Sequence, residues 1–376
     1  MTDFPLAPVW VASTVTLGKM LQPNQEFGDD LLCKYIHAGK IGTNGLLNED
    51  SEAREMWFTP SELQRLSLRE GDSLVTEGGD VGRPAFIGND LPGVGFQNSV
   101  IRLRPKLTTH PKFLFYAMDY LYRSGHVDRV CSAVSLKHFT AEKVAVQSIP
   151  LPDFETQRRI ADYLDKETGE MDAMIGEFEV LVKSLLLRKP MKVTEVLSQE
   201  TYPAIPLGLV CRLYSGDFIP LSEVDPEHDL PVFGGNGVLG RTRTGNIDED
   251  CLIVGRVGAL CGNVHRVHAP AFITDNALIV QPKISVDLTW LEHSLRSLNL
   301  GKLSQASAQP VIAASKVLRE RISFPPVEKQ RQIAEKLDRE TAKMDALIEE
   351  STKLIENLKA RKTALITEVV TGRKEV

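Results

Sequence analysis

Cysteine is scarce in this chain. The five present, Cys33, Cys131, Cys211, Cys251 and Cys261, form no CxxC pair and have no histidine companion at ligand spacing. That excludes a zinc ribbon and a disulfide framework and makes a reducing, cytoplasmic compartment the expectation. No apolar run approaches the length that spans a bilayer and no signal peptide opens the sequence, so no membrane partner is expected. Catalytic signatures are missing as well. There is no GxxxxGK[ST] phosphate loop, no HExxH, no Gly-x-Ser-x-Gly elbow, and no Asn/Asp-Pro-Pro-Tyr/Phe motif of the kind that positions an amino group for methyl transfer. The eight histidines do not cluster with cysteines or carboxylates, so no catalytic residue and no metal ligand is assigned. A literal GxGxxG does occur at Gly235, Gly237 and Gly240, but the polar run RTRTGN follows it where a dinucleotide fingerprint needs a helix. It reads as a flexible loop carrying Asn236, Arg241 and Arg243.

What is present is enough for a core. At 376 residues and 42% hydrophobic content the chain should hold two domains or more. The net charge of -6 does not suit a nucleic-acid binder, yet charge acts locally. Between Ile101 and His138, Arg102, Arg104, Lys106, Lys112, Arg123, Arg129 and Lys137 face only Asp119 and Asp128, which predicts a basic surface. A second basic stretch gathers Arg241, Arg243, Arg256, His265, Arg266 and His268, whereas residues 1–55 are acidic.

The dominant feature is an internal repeat. The segment from Ile149 to Gln199 falls without a gap on the segment starting at Ile322, and nearly half the positions are identical. Pro152 lands on Pro325, Gln157 on Gln330, Leu164-Asp165 on Leu337-Asp338, Met171-Asp172-Ala173 on Met344-Asp345-Ala346, and Arg188-Lys189 on Arg361-Lys362. Each copy predicts one long helix, with Asp153 as a cap in the first. Apolar residues at three-and-four spacing place a heptad seam at Ile160, Leu164, Met171, Met174, Phe178, Leu181 and Leu185, broken at Glu167. In the second copy the seam reads Ile333, Leu337, Met344, Leu347, Leu354 and Leu358, interrupted at Glu340 and Ser351. Ile175, Val182 and Leu186, with Ile348 and Ile355, widen the stripe and become candidates for binding a partner. Pro190 is expected to end or kink the first helix.

The blocks outside the repeat share one plan. LVTEGGDVGRPAF in the first is matched by LIVGRVGALCGNV in the second, FQNSVIRLRPK by TDNALIVQPK, and a helix near Pro111–Tyr122 by one near Leu288–Leu298. Strands are expected at Ser73–Thr76 and from Val15 to Leu17, and a short helix at Thr59–Leu68.

The repeated LP-x-x-E-x-Q-x-x-I-A-x-x-L-D helix, starting at Leu151 and, with phenylalanine for leucine, at Phe324, resembles the specificity subunit of type I restriction-modification systems. The GDSLVTEGGDVGR and GRVGALCGNV stretches are similar to segments of that family's target-recognition domains. The resemblance implies an α+β fold: two mixed α/β target-recognition domains, residues 1–152 and 200–325, separated by two long helices, residues 153–199 and 326–376. The helices would form an antiparallel coiled coil with a pseudo-two-fold internal repeat. It further implies double-stranded DNA as ligand, two methylation subunits that carry S-adenosylmethionine, a restriction/translocase subunit, and no cofactor on this chain. Helices of about 36 residues span roughly 54 Å, enough to seat two domains one DNA turn apart. Candidate DNA contacts, all on inferred loops, are Lys40, Asn44, Arg83, Gln97, Lys137 and His138 in the first block, and Asn236, Arg241, Arg243, Arg256 and Gln309 in the second. The competing readings are a stand-alone DNA methyltransferase or other nucleotide-dependent enzyme, and a coiled-coil scaffold without nucleic acid.

Overall fold

The computed structural model describes residues 3–48, 52–131, 137–304 and 310–376. The chain divides into two compact units, Met1–Glu179 with Lys353–Val376, and Val180–Thr352. In the first unit the strands are β1 (Leu6–Pro8), β2 (Ser13–Leu17), β3 (Leu31–Ile36), β4 (Arg54–Phe58), β5 (Ser73–Thr76), β6 (Pro84–Phe86), β7 (Gly95–Phe96), β8 (Val100–Pro105) and β9 (Ser148–Pro150). They form an antiparallel sheet in the order β2-β8-β5-β6, a sheet β4-β3-β7 in which β3 and β7 are parallel, and the pair β1-β9. All four residues of β5 are buried, as a strand covered on both faces requires. The helix Pro111–Arg123 lies among the core residues, burying Phe113, Leu114, Ala117 and Leu121 with Val75, Ile101 and Leu103. The short helix Pro60–Arg65 starts where Thr59 and Glu62 complete a capping box.

The second unit repeats this order strand for strand. Its strands are β10 (Ala204–Pro206), β11 (Cys211–Ser215), β12 (Leu230–Gly234), β13 (Gly237–Thr242), β14 (Cys251–Gly255), β15 (Val264–Val267), β16 (Phe272–Ile273), β17 (Ala277–Pro282) and β18 (Arg321–Ser323). The sheets run β11-β17-β14-β15, β13-β12-β16 and β10-β18. The helix Leu288–Ser297 stands where Pro111–Arg123 stood, and buries Trp290, Leu291 and Leu295.

Each repeat copy is a single helix, Phe154–Leu197 and Val327–Val370. Asp153 caps the first, its carboxylate accepting from Thr156 N at 3.0 Å. The first helix does not end at Pro190, one of the two outcomes expected there. An internal proline costs about 3 kcal/mol, and here Val193 and Val196 on the turns beyond it are buried with Leu337 in one apolar cluster, which outweighs that cost.

The repeated glutamine explains the motif. Gln157 is buried; its Oε1 accepts from His110 N at 2.8 Å and its Nε2 donates to Pro152 O at 2.7 Å. In the second unit Gln330 accepts from Asp287 N at 2.9 Å and donates to Pro325 O at 2.8 Å. His110 and Asp287 are the residues that open the two domain helices, so one side chain locks each domain onto the first turn of its long helix. Two turns further, Asp165 accepts from Tyr116 OH at 2.6 Å, and Asp338 meets His293 Nε2 at 3.2 Å.

The seam agrees with the sequence expectation at Leu164, Met171, Phe178 and Leu185 and at Leu337, Met344 and Leu358, but at the alternate positions it runs one residue later. Buried and half-buried positions recur as Gln157, Ala161, Leu164, Thr168, Met171, Ile175, Phe178, Val182 and Leu185, and in the second helix as Gln330, Ala334, Leu337, Thr341, Met344, Ile348, Ser351, Ile355 and Leu358. Met174, Leu181, Leu347 and Leu354, assigned to the seam from spacing, are exposed. Both choices satisfy a heptad count, but the observed one places Thr168 and Thr341 in the seam, which an apolar pattern overlooks, while Ser351 belongs to either. In the first unit the Lys362 ammonium lies 2.6 and 2.8 Å from the Asp172 carboxylate and Lys359 3.1 Å from Glu179. In the second unit Lys189 lies 2.5 and 2.7 Å from Asp345, and Lys336 2.7 Å from Gln199.

The segment beyond Thr371 closes on the start of the chain in the first unit. Asp3 N donates to Thr371 O at 2.9 Å, Lys374 reaches Tyr163 OH at 2.8 Å, and Gly372 takes φ +79° beneath the Phe4 ring.

Candidate nucleic-acid interface

The basic stretch from Ile101 to His138 is not an open cationic surface. Arg102 is buried on β8, where its guanidinium donates to the carbonyls of Arg65 and Ser67 at 3.0 and 2.8 Å. Burial, with Arg104 alongside, pushes its pKa down to about 10. Arg104 grips the buried Asp72 carboxylate through two bonds of 2.8 and 2.7 Å. Lys106 donates to Trp10 O, Lys112 to Asp165, Arg123 to Asp119, and Lys137 to Asp128. Two of the four acids pairing with this stretch, Asp72 and Asp165, come from elsewhere in the sequence.

What the first unit does offer is a groove of about 960 Å³ in which Lys34, Lys40, Asn44, Arg54 and Asn89 surround Leu46, Leu47 and Leu91. Lys40 and Asn44 are therefore brought together. Lys40 sits on a tight turn, Ala38–Lys40, capped by His37 Nδ1. Asn44 is exposed and uses its side-chain oxygen to accept from Leu46 N at 3.2 Å. Its neighbour Gly45 takes φ +81° against the Phe115 ring, where a Cβ would come within 2.6 Å of the ring edge; that contact holds the loop down. Lys34, Arg54 and Asn89 were missed by the sequence reading. The register of β3 on β4, Lys34 with Glu55 and Tyr35 with Arg54, brings Lys34 and Arg54 to this wall, which spacing alone does not reveal.

The other first-block candidates lie apart from that groove. Arg83 bonds Asp80 at 3.0 Å, an acid that also accepts from Tyr122 OH. Lys137 bonds Asp128 at 2.6 Å, His138 Nδ1 lies 3.2 Å from Glu77, and Gln97 accepts from Ser99 Oγ at 3.2 Å. Each would have to exchange an internal partner for DNA.

In the second unit the glycine-rich stretch is a β-hairpin rather than a phosphate loop. β12 and β13 pair through Gly234 and Gly237, with Gly235-Asn236 as the turn and φ +104° at Gly237. A Cβ on Gly255 would fall on the Gly235 carbonyl, so the hairpin tip packs directly on the end of β14. There Asn236 Oδ1 accepts from Asn263 Nδ2 at 3.1 Å, and Arg256, just past β14, donates to Ser215 Oγ at 3.3 Å. Asn236 and Arg256 thus meet at one end of the sheet. Arg241 is not on a loop. It lies in β13 and clamps the carbonyls of His228 and Asp229 at 2.6 and 2.5 Å; Arg243 follows, 3.1 Å from His228 Nε2. Gln309 lies outside the described residues.

Among the described residues no group of histidine, cysteine and acidic side chains could hold a metal, and no helix is long and apolar enough to cross a membrane. Burial pushes the Cys211 thiol up to about 11, away from nucleophile chemistry. Exposed amide and guanidinium donors on rigid turns suit base edges and phosphates instead.

The chain was compared with known proteins. The family model for the type I restriction modification DNA specificity domain matches residues 62–173 and 203–357. The type I restriction enzyme EcoprrI specificity subunit of Escherichia coli is 32% identical over 137 residues, 35% of this chain and 34% of that protein, so the chain spans about a third of the length of that relative. Among solved structures, a chain from the complex assembly and conformational transition of the type I R-M system superposes over 100% of both chains, with TM-score 0.78 and 19% identity. The HsdS subunit from Thermoanaerobacter tengcongensis gives TM-score 0.54 at 20% identity, over 99% of this chain and 97% of its own. The type I restriction-modification S subunit from M. genitalium gives 0.52 at 14%, over 98% and 96%. At these identities the structural likenesses show the fold.

Proposed function

The chain belongs to the type I restriction modification DNA specificity domain family, and from that premise we propose that it is the sequence-reading subunit of a type I restriction-modification complex. Residues 1–152 and 200–325 are its two readers of a bipartite duplex target, with residues 153–199 and 326–376 as spacer helices. The observation that carries this reading is the repetition of one strand order in both units with different side chains at the corresponding turns. A frame that repeats while its tips diverge is what two readers of different half-sites require.

The helices act as an antiparallel coiled coil with a pseudo-two-fold repeat. Lys189 of the first copy pairs with Asp345 of the second, and the equivalent Lys362 of the second pairs with Asp172 of the first. That reciprocity is the mark of isologous pairing, which suits the two-fold symmetry of a duplex. Lys40 and Asn44, with Lys34 and Arg54, make the first reading surface, and Asn236, Arg243 and Arg256 the second. Arg83, Gln97, Lys137 and His138 serve mainly to fix their own loops, and Arg241 to hold the His228-Asp229 segment against β13.

Two methylation subunits dock on the helices and a restriction/translocase subunit joins them. The docking residues are exposed on the helices: Met174 and Leu354 in the first unit, and Leu181, Leu186 and Leu347 in the second. Ile175, by contrast, is buried within the chain, and Val182, Ile348 and Ile355 share its seam phase. S-adenosylmethionine is held by the methylation subunit; the isolated chain should show no stoichiometric binding in a calorimetric titration, and micromolar binding would move the assignment to a methyltransferase. The reading as a whole is tested by selecting bound duplexes from a random library, with and without the methylation subunit. Two short half-sites flanking an unread gap are expected, and a single contiguous site or no enrichment contradicts the proposal.

A further inference from the structure

Each unit carries a cavity at the joint between its domain helix and the long helices, and the two cavities differ. In the first unit Lys112, Tyr116, Asp165, Thr168, Asp172 and Lys362 line a cavity of about 270 Å³. His110 and Asp287, held by the repeated glutamines, set the register between the units. In that register the counterparts are Thr289, His293, Asp338, Thr341, Asp345 and Lys189, and they line a cavity of about 620 Å³. The strand connections account for the difference. β12 and β13 are joined by Gly235-Asn236 alone, and neither residue lines the larger cavity. Residues 37–53 join β3 and β4, and this longer connection lays Asn44, Gly45 and Leu46 along the wall of the smaller one.

The loop is held there by a chain of contacts that ends on the long helix. Gly45 O accepts from Phe86 N at 2.8 Å, and the Phe115 ring lies directly against Gly45. The two rings meet edge to face, with centroids 6.0 Å apart. Lys112 stands over the Phe86 ring, 4.4 Å from its centroid, while its ammonium reaches Asp165 at 3.1 Å. Tyr116 packs on Phe115 and closes on the same Asp165 at 2.6 Å and on Thr168 at 3.1 Å. In the second unit Glu292 stands in place of Phe115 and Thr289 in place of Lys112. Their partners, Arg296 and Arg266, belong to the domain itself.

We propose that Phe86 and Phe115 are positioning residues for sequence reading in the first unit: they fix the loop that presents Asn44, and Lys112 and Tyr116 brace them from the spacer helix through Asp165. The second reader is positioned instead by its hairpin tip on the end of β14. This rests on the reading of Asn44 as a base-contacting residue of a DNA-specificity subunit. Such a support sharpens base discrimination without touching DNA, because a loop free to shift meets several bases equally well.

The test selects bound duplexes from a random library, using the full chain with its methylation subunit, and scores base preference in each half-site. Phe115→Leu should lower discrimination in the first half-site about fivefold or more and leave the second unchanged. Combined with Asn44→Ala it should add nothing to the loss from Asn44→Ala alone, a result that a merely structural role does not give. Lys112→Met, at a half-buried side chain, should act in the same direction and decides the matter if Phe115→Leu does not fold. Glu292→Leu, at the equivalent place, should leave the second half-site as it was. An unchanged first half-site, a loss equal for all sequences, additive losses in the double variant, or a second half-site relaxed by Glu292→Leu overturns the proposal. A parent chain that enriches no pair of half-sites overturns the DNA-reading function itself, before any variant is compared.

Discussion

Gln157 and Gln330 show how a short repeated motif becomes a joint. Each satisfies two backbone groups in a buried place, so truncation leaves a donor and an acceptor unpaired. Gln330→Ala should destabilise the second unit by about 1–3 kcal/mol, measured as a shift in its urea unfolding midpoint; a shift indistinguishable from a surface substitution would mean the joint is held by something else. The glutamine was visible in the sequence as a repeated letter, but its role was not, because the groups it serves lie at His110 and Asp287. The same limit misled the reading of the basic stretch. Arg104 meets Asp72 and Lys112 meets Asp165, pairings across the fold that no local charge count can anticipate.

At the scale of elements, the two helices and most strands were legible because hydrophobic periodicity and turn residues are local signals. Seam phase was not. Counting apolar residues could not separate Met174 and Leu181 from Ile175 and Val182, since both sets are apolar, and it passed over Thr168 and Thr341, which are buried in the real seam. The two phases make opposite predictions. Ile175→Asp puts a charge into a buried position and should destabilise the chain by several kcal/mol, seen in thermal or denaturant unfolding. Leu181→Gln with Leu354→Gln should leave unfolding within about 0.5 kcal/mol of the parent yet release the methylation subunit in co-purification. Swapped outcomes would restore the seam inferred from spacing. Pro190 teaches a related lesson: a local breaker yields where the turns beyond it bury Val193 and Val196.

The strand order is duplicated, and the proposal that its tips read different half-sites makes two further outcomes definite. Asn44→Ala should relax the selected sequence in one half-site and Asn236→Ala in the other, each by about 1–3 kcal/mol if the amide is bidentate to a base. Changes in both half-sites from either variant would contradict independent readers. The spacer role of the helices is the central claim, and its most direct measurement is a length change. Three heptads inserted after Leu181 and, at the equivalent point, after Leu354 preserve the seam and lengthen each helix by about 31 Å at 1.5 Å per residue. That equals about nine base pairs, close enough to one DNA turn to return both readers to the same face of the duplex. Bound sites are selected from a random duplex library by the lengthened chain with its methylation subunit. The account predicts both half-sites unchanged and the unread gap longer by about nine or ten base pairs; unchanged half-sites at the original gap would show that the helices do not set the spacing.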